Sequence, residues 1–208
     1  IKELSQRGIV VVTYEHDLPE SQRLAFVGCD YYRNGQAIAG VVRLTLGGRG
    51  TVGIVTGALS AMAHERRLQG FVDRLTENCP GMRLVAQAVC DEDDVSTYTA
   101  VKKILLENPE LDLLVVNVAS AFGSMRAVKE HSKPLHVIST NRVSEMEKYL
   151  EEHTVDAMVT HQPWVLTDLS LDILFQYLVW GKKPKEEVLF TNNEIVIPEN
   201  MRFRPLPL

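Results

Sequence analysis

Alternation is the feature that most limits what this chain can fold into. Apolar runs of strand length occur at "GIVVVTY" (8–14), "TVGIVTG" (51–57), "MRLVAQAV" (82–89), "LDLLVVNV" (111–118), "PLHVIST" (134–140) and "VDAMVT" (155–160). Stretches with helical spacing lie at 31–46, 63–78, 94–108, 120–131, 143–152 and 163–180. Strands alternating with helices of ten or more residues predict βαβ units and a parallel sheet. Near-continuous Val, Ile and Leu in the runs fits sheets covered on both faces. Asn108–Pro109 and Cys79–Pro80–Gly81 fall where helices should stop. One part does not balance. The first strand (8–14) and the helix at 163–180 stand apart from a nearly self-sufficient βα array. A lone strand and a lone helix cannot build a second core. They either decorate the array or belong to another lobe whose first half is missing.

With 208 residues and 45% hydrophobic content, the chain can bury a sizeable core in one domain or two small ones. The net charge of −5 argues against a basic nucleic-acid surface. Its three cysteines, Cys29, Cys79 and Cys90, form no C-x-x-C and are odd in number. They read as reduced thiols in a cytosolic protein. No apolar run approaches the ~20 residues of a membrane span, and no signal peptide is visible. The chain starts at Ile1 without a Met, so that start is not taken as the native one.

"GRGTVG" (48–53) matches G-x-G-x-x-G. The dinucleotide fingerprint, however, follows a strand and opens a helix, whereas this one follows a helix and opens a strand. It is expected to be a turn. No G-x-x-x-x-G-K-[ST] or G-x-S-x-G occurs. "HERR" (64–67) is not H-E-x-x-H and has no second His at metal-ligand spacing. In "CDEDDVSTY" (90–98), Asp93 or Asp94 is expected to cap the following helix. For Asp91 and Glu92, at a strand's carboxyl end, capping and ligand binding both stay open. No catalytic residue, metal set or cofactor loop is assigned.

Ligands of open parallel sheets bind outside the carboxyl ends of the strands. Those ends here carry Glu15, His16, Cys29, Asp30, residues 58–63, Asp91, Glu92, Asn117, Asn141, His161 and Gln162. Each alone reads as a cap or turn residue, and Asn141 is placed as the N-cap of the helix after it. Together they form a row of hydrogen-bonding groups with no nucleophile–base pair. Such a row suits a small polar ligand that is held and not transformed.

Six segments in order, "GIVVVTYEHDLPESQRLAFVGCDYYRNGQAIAG", "GGRGTVGIVTG", "HERRLQGFVDRL", "ENPELDLLVVNVASAFGSMRAV", "HVISTN" and "VTHQPWVLTDLSLDILFQYLVWGKKP", span almost the whole chain. The ordered set resembles the type I periplasmic-binding-protein fold, and more narrowly the effector-binding domain of LacI-type transcriptional regulators. The resemblance implies an α/β fold of two doubly wound parallel-sheet lobes joined by a three-strand hinge, with the ligand in the cleft between them. Residues 1–29 would end the N-terminal lobe and 30–160 would form the C-terminal lobe. Residues 161–188 would return to the first lobe, and 189–208 would hold a final crossing strand and a surface tail. The family's domain is roughly a third longer at its start, so the N-terminal lobe is read as incomplete here.

Carried over position by position, the family's ligand contacts fall on Glu15, His16, Glu65, Glu92, Asn117, Asn141 and His161. Cys29, Asp30 and Gln162 take hinge positions, and Arg67 takes a structural one. Gly35 and Gly40 are expected to let the first helix approach the sheet closely. The sequence departs from the sugar-binding pattern at Glu65, where relatives often have Arg, and at Glu92, where the contact is frequently aromatic. Carboxylates in those places suggest an amino sugar or a cationic polyol.

The leading expectation is the effector domain of a cytoplasmic LacI-type regulator. It would bind a sugar or polyol, form a homodimer, and act on DNA through an upstream helix-turn-helix, with no membrane partner. The alternative is an extracytoplasmic sugar-binding protein of an ABC transporter. An enzyme is not expected.

Overall fold

The computed structural model describes residues 1–201. The surface-tail reading lies, from residue 202 onward, outside them. Seven helices and nine strands occur in the order α1 (Lys2–Gln6), β1 (Val12–Tyr14), β2 (Ala25–Cys29), α2 (Tyr31–Thr45), β3 (Arg49–Thr56), α3 (Met62–Asn78), β4 (Gly81–Val89), α4 (Asp94–Glu107), β5 (Leu113–Asn117), α5 (Ala121–Lys129), β6 (His136–Ser139), α6 (Ser144–Glu151), β7 (Ala157–Thr160), α7 (Pro163–Trp180), β8 (Val188–Thr191) and β9 (Glu194–Val196) among the described residues.

The chain divides into two compact units. Unit 1 holds Ile1–Asp30 and His161–Asn193. Unit 2 holds Tyr31–Thr160 and the segment beginning at Glu194. The chain therefore passes between units three times, after Asp30, Thr160 and Asn193.

Unit 2 is built on a six-stranded sheet of order β4-β3-β5-β6-β7-β9. Its first five strands are parallel, and β9 runs antiparallel to β7. The apolar runs fill both faces. Leu113 and Val115 of β5 join Ile38 and Val42 of α2 and Leu68, Phe71 and Leu75 of α3 on one face. Leu114 and Val116 join Val101 and Ile104 of α4, Met125 of α5 and Met146 and Leu150 of α6 on the other. Each fully buried large side chain contributes about 1.5–3 kcal/mol, which is why β5 reads as an unbroken apolar run rather than an alternating one. At the sheet edge, β4 alternates instead, with Arg83, Val85 and Gln87 exposed.

Unit 1 has the parallel three-stranded sheet β1-β2-β8. Leu166 and Ile173 of α7 pack on Ala25 and Val27 of β2. Gly181 ends α7 in the left-handed conformation, the usual glycine stop.

Several expectations are corrected. The strand foreseen at 8–14 is only three residues long, and its start is preceded by α1, which was not foreseen and ends at Gln6 with Arg7 as its C-cap and Gly8 following at φ 75°. The single closing strand is two short strands in different sheets, and β9 breaks the all-parallel pattern. Asn141 does not cap α6, whose N-cap is Val143. Gly35 packs against a helix, not the sheet: a Cβ there would lie 2.0 Å from the Arg67 carbonyl oxygen of α3. Gly70 of α3 meets Tyr32 of α2 in the same way. Gly40 faces open space. "GRGTVG", expected to be a turn, is one only at Gly48: the turn between α2 and β3 holds Gly47 and Gly48 at positive φ, and Arg49 to Gly53 already belong to β3.

Candidate ligand-binding site

The parallel order puts the residues after β3, β4, β5, β6 and β7 along one edge of the unit 2 sheet. Behind that edge lies a buried polar network. Arg67, reaching in from α3, donates from Nε to Asn34 Oδ1 at 2.6 Å and from Nη1 to Asn117 Oδ1 at 2.8 Å. Its guanidinium lies 5.1 Å from the centre of the Tyr31 ring. Thr140 Oγ1 also donates to Asn117 Oδ1, and Asn117 Nδ2 donates to Thr56 Oγ1. Arg67 thus joins α2, α3 and β5, the structural role its position implied. Asn117 is fully buried and holds the ends of β3, β5 and β6 together.

In front of this network lie the polar groups nearer solvent. Asp93 is the N-cap of α4, accepting from the amides of Val95 and Ser96. Asp94 does not cap that helix; its Oδ1 accepts from Ser120 Oγ and the Gly123 amide at the start of α5. Capping therefore does not explain Glu92. Its Oε1 accepts from the Ala119 amide at 2.8 Å, and its Oε2 lies 3.1 Å from His64 Nε2. Asn141 is half-buried and donates from Nδ2 to the Val118 carbonyl. Asn117 and Asn141 thus sit at adjoining strand ends, Glu92 follows β4 with β3 between it and β5, and Glu65 occupies the exposed side of the first turn of α3.

In unit 1, Glu15 and His161 come together, with Glu15 Oε1 2.6 Å from His161 Nε2. Glu15 has φ 63°, a left-handed conformation that costs a non-glycine residue roughly 1–2 kcal/mol. Such strain is held where the surroundings fix it, here by the Glu15 amide bonding the Val27 carbonyl. His16 follows, exposed. The loop after it is stapled by Asp17, which takes hydrogen bonds from Arg23 Nε and Nη2 at 2.5 and 2.7 Å. Arg23 holds the Asp17 carboxyl below its ordinary range, aided by the Leu18 amide and opposed by burial. Cys29 Sγ donates to Asn193 Oδ1 at 3.5 Å, so the residues flanking two of the crossings touch. Asp30 directly precedes α2, and Gln162 is the N-cap position of α7 before Pro163.

Sequence reasoning missed His64, Asn34, Thr56 and Thr140. His64 was visible in "HERR", but only a metal role was tried there, and its partner is 28 residues away. No group of three or more metal-ligating side chains occurs among the described residues. No helix among them is long and apolar enough to cross a membrane.

The family model of the periplasmic binding protein domain matches residues 1–183. Among solved structures, the chain is similar to GanP, a glucose-galactose binding protein from Geobacillus stearothermophilus. They are 25% identical with a TM-score of 0.83, over 98% of this chain and 72% of that one. It also resembles AraP, an arabinose binding protein from the same organism, at 22% identity and a TM-score of 0.89, over 96% of this chain and 72% of that one. A periplasmic ribose ABC transporter protein from Conexibacter woesei gives 22% identity and a TM-score of 0.86, covering 96% and 68%. The last two likenesses establish the fold alone. No curated protein matches the chain.

These matches overturn the LacI-type reading. The family matched is the periplasmic binding protein domain, and the similar structures are named as sugar-binding proteins or transporter components. The DNA partner, the upstream helix-turn-helix, the homodimer and the cytoplasmic location all depended on the regulator resemblance and go with it. The cysteine argument for the cytosol fails for a physical reason. Cys29, Cys79 and Cys90 are all buried, and none is in a disulfide. Buried thiols of this kind pack as small apolar groups and carry no sign of compartment.

Proposed function

The chain belongs to the periplasmic binding protein domain family, and from that premise we propose that it is the sugar-binding part of an extracytoplasmic transport protein, serving an ABC transporter. It binds its ligand without transforming it. The observation that carries this reading is the set of carboxylate, amide and imidazole groups at the carboxyl edges of both sheets. Glu15 and His161 supply it in unit 1, and Glu92 and Asn141 supply it in unit 2. These groups match a ligand rich in hydroxyls. In unit 2, Asn117 contributes by holding the sheet edge and Glu65 by its exposed place in the first turn of α3; in unit 1, His16 contributes beside Glu15; Cys29, Asp30 and Gln162 lie at the crossings.

The acidic balance of this set points to a ligand that also carries a positive charge, such as an amino sugar. Calorimetry with D-glucose, D-galactose, D-ribose and D-glucosamine tests both statements. Saturable binding of at least one sugar is expected, with D-glucosamine the tightest and weakened about tenfold or more in Glu65→Gln, the order of loss when a charge-assisted contact goes. Tight binding of a neutral sugar, unchanged in that variant, would rule out the cationic ligand. Binding of none would rule out the function.

A further inference from the structure

We propose that His64 is a positioning residue for ligand binding, acting through Glu92. The proposal rests on the sugar-binding reading above. The Glu92 carboxylate is held at two points: the Ala119 amide donates to Oε1 at 2.8 Å, and His64 Nε2 lies 3.1 Å from Oε2. The first turn of α3 and the connections after β4 and β5 meet in those two contacts. Gly57 at the end of β3 makes room for them. A Cβ there would lie 2.7 Å from His64 Nε2 and 2.9 Å from Glu92 Cδ.

The histidine ring is oriented by what it lacks. His64 Nδ1 is buried with no hydrogen-bond partner. A proton on Nδ1 would leave a buried donor unmet, so the ring carries its N–H on Nε2 and gives it to Glu92. The carboxylate thereby remains an acceptor on both oxygens. Each oxygen has a second lone pair, and about a third of the Glu92 side chain is open to solvent. A ligand hydroxyl or ammonium then meets a carboxylate whose direction is already set, which lowers the ordering cost of binding.

The test is a double-mutant cycle read by calorimetry with whichever of D-glucosamine, D-galactose and D-ribose the parent chain binds. His64→Ala should weaken binding about tenfold, the scale of one charge-assisted hydrogen bond. His64→Gln, whose amide can still donate, should recover most of that. His64→Ala/Glu92→Ala should bind no more weakly than Glu92→Ala alone. Full additivity, or no change in His64→Ala, would overturn the proposal. Amide exchange of Ala119, followed by NMR without ligand, separates this from the sugar-binding reading. If the parent binds none of these three and no D-glucose, that reading fails, and the exchange decides alone. Faster Ala119 exchange in His64→Ala, with an unchanged melting temperature, supports the positioning role; unchanged exchange refutes it.

Discussion

Glu15 and His161 lie 146 residues apart in sequence and 2.6 Å apart in unit 1. The pair joins the carboxyl end of β1 to the segment that opens α7, and it does so with Glu15 in a left-handed backbone conformation. Two terms of similar size oppose each other at Glu15. Replacing it with glycine relieves about 1 kcal/mol of backbone strain and removes a pair contributing about 0.5–1 kcal/mol. Glu15→Gly should therefore change stability by less than about 1 kcal/mol in urea denaturation while sharply weakening sugar binding. Glu15→Gln keeps the strain and removes the charge, and should weaken binding too. A Glu15→Gly chain that still binds as the parent does would remove Glu15 from the site.

Gly35 and Gly40 occupy the same helix and should respond in opposite ways. A Cβ at Gly35 would lie 2.0 Å from a backbone oxygen of α3, which cannot yield as a flexible side chain does. Gly35→Ala should cost several kcal/mol, above the ~1–3 of ordinary overpacking. At Gly40 nothing lies within 4 Å, so Gly40→Ala should stabilise by about 0.5–1 kcal/mol through helix propensity. Thermal melts of the two variants check the contrast.

How much of this was legible follows from range. Each buried strand of unit 2 announces itself locally, as "LLVVN" does, because burial on both faces needs an unbroken apolar run. The short strands do not. β9 is only "EIV", and its place beside β7 is set by a chain crossing that no local pattern encodes. The candidate site divides in the same way. Placement at strand ends gave Glu92, Asn117 and Asn141, since topology alone fixes that edge. What those groups bond to was hidden. Asn117 and Arg67 are 50 residues apart, and only the packing of α3 on α2 through Gly35 and Gly70 brings the guanidinium to the strand end. The compartment was misread because the packing of buried thiols says nothing about redox surroundings.

Acid should destabilise both units through identifiable carboxylates. Asp17 is held below its ordinary 3.8 by the Arg23 hydrogen bonds. Glu130 is lowered to about 2 by Lys102, Tyr98 and Arg126. A depressed folded-state value means the folded form holds its charge while the unfolded chain takes up a proton. The stabilisation is complete above the unfolded values of 3.8 and 4.5 and is lost as pH falls toward the folded ones. Asp17→Asn should lower stability at pH 7 and flatten its decline below about pH 4. A variant whose pH profile runs parallel to the parent's down to pH 2.5 would show that the Arg23 pair does not persist in solution.

Arg67 offers the sharpest test of the polar network behind the edge. Its guanidinium is buried and bonds the side chains of Asn34 and Asn117. Arg67→Met keeps the stem and removes the donors to Asn34 Oδ1 and Asn117 Oδ1, the second of which still accepts from Thr140 Oγ1. Loss of hydrogen bonds to a charged group costs about 1.5–3 kcal/mol. Arg67→Lys keeps the charge, but one ammonium cannot reproduce the planar fork that reaches both oxygens, so an intermediate loss is expected. Asn34→Leu/Arg67→Met should be less destabilised than the sum of Asn34→Leu and Arg67→Met, because the two single variants lose the same bond. Urea midpoints with unchanged slopes would read these as stability changes. If the double variant is instead the sum of the singles, the Asn34 bond contributes independently of Arg67, and the network is a set of separate contacts rather than a unit.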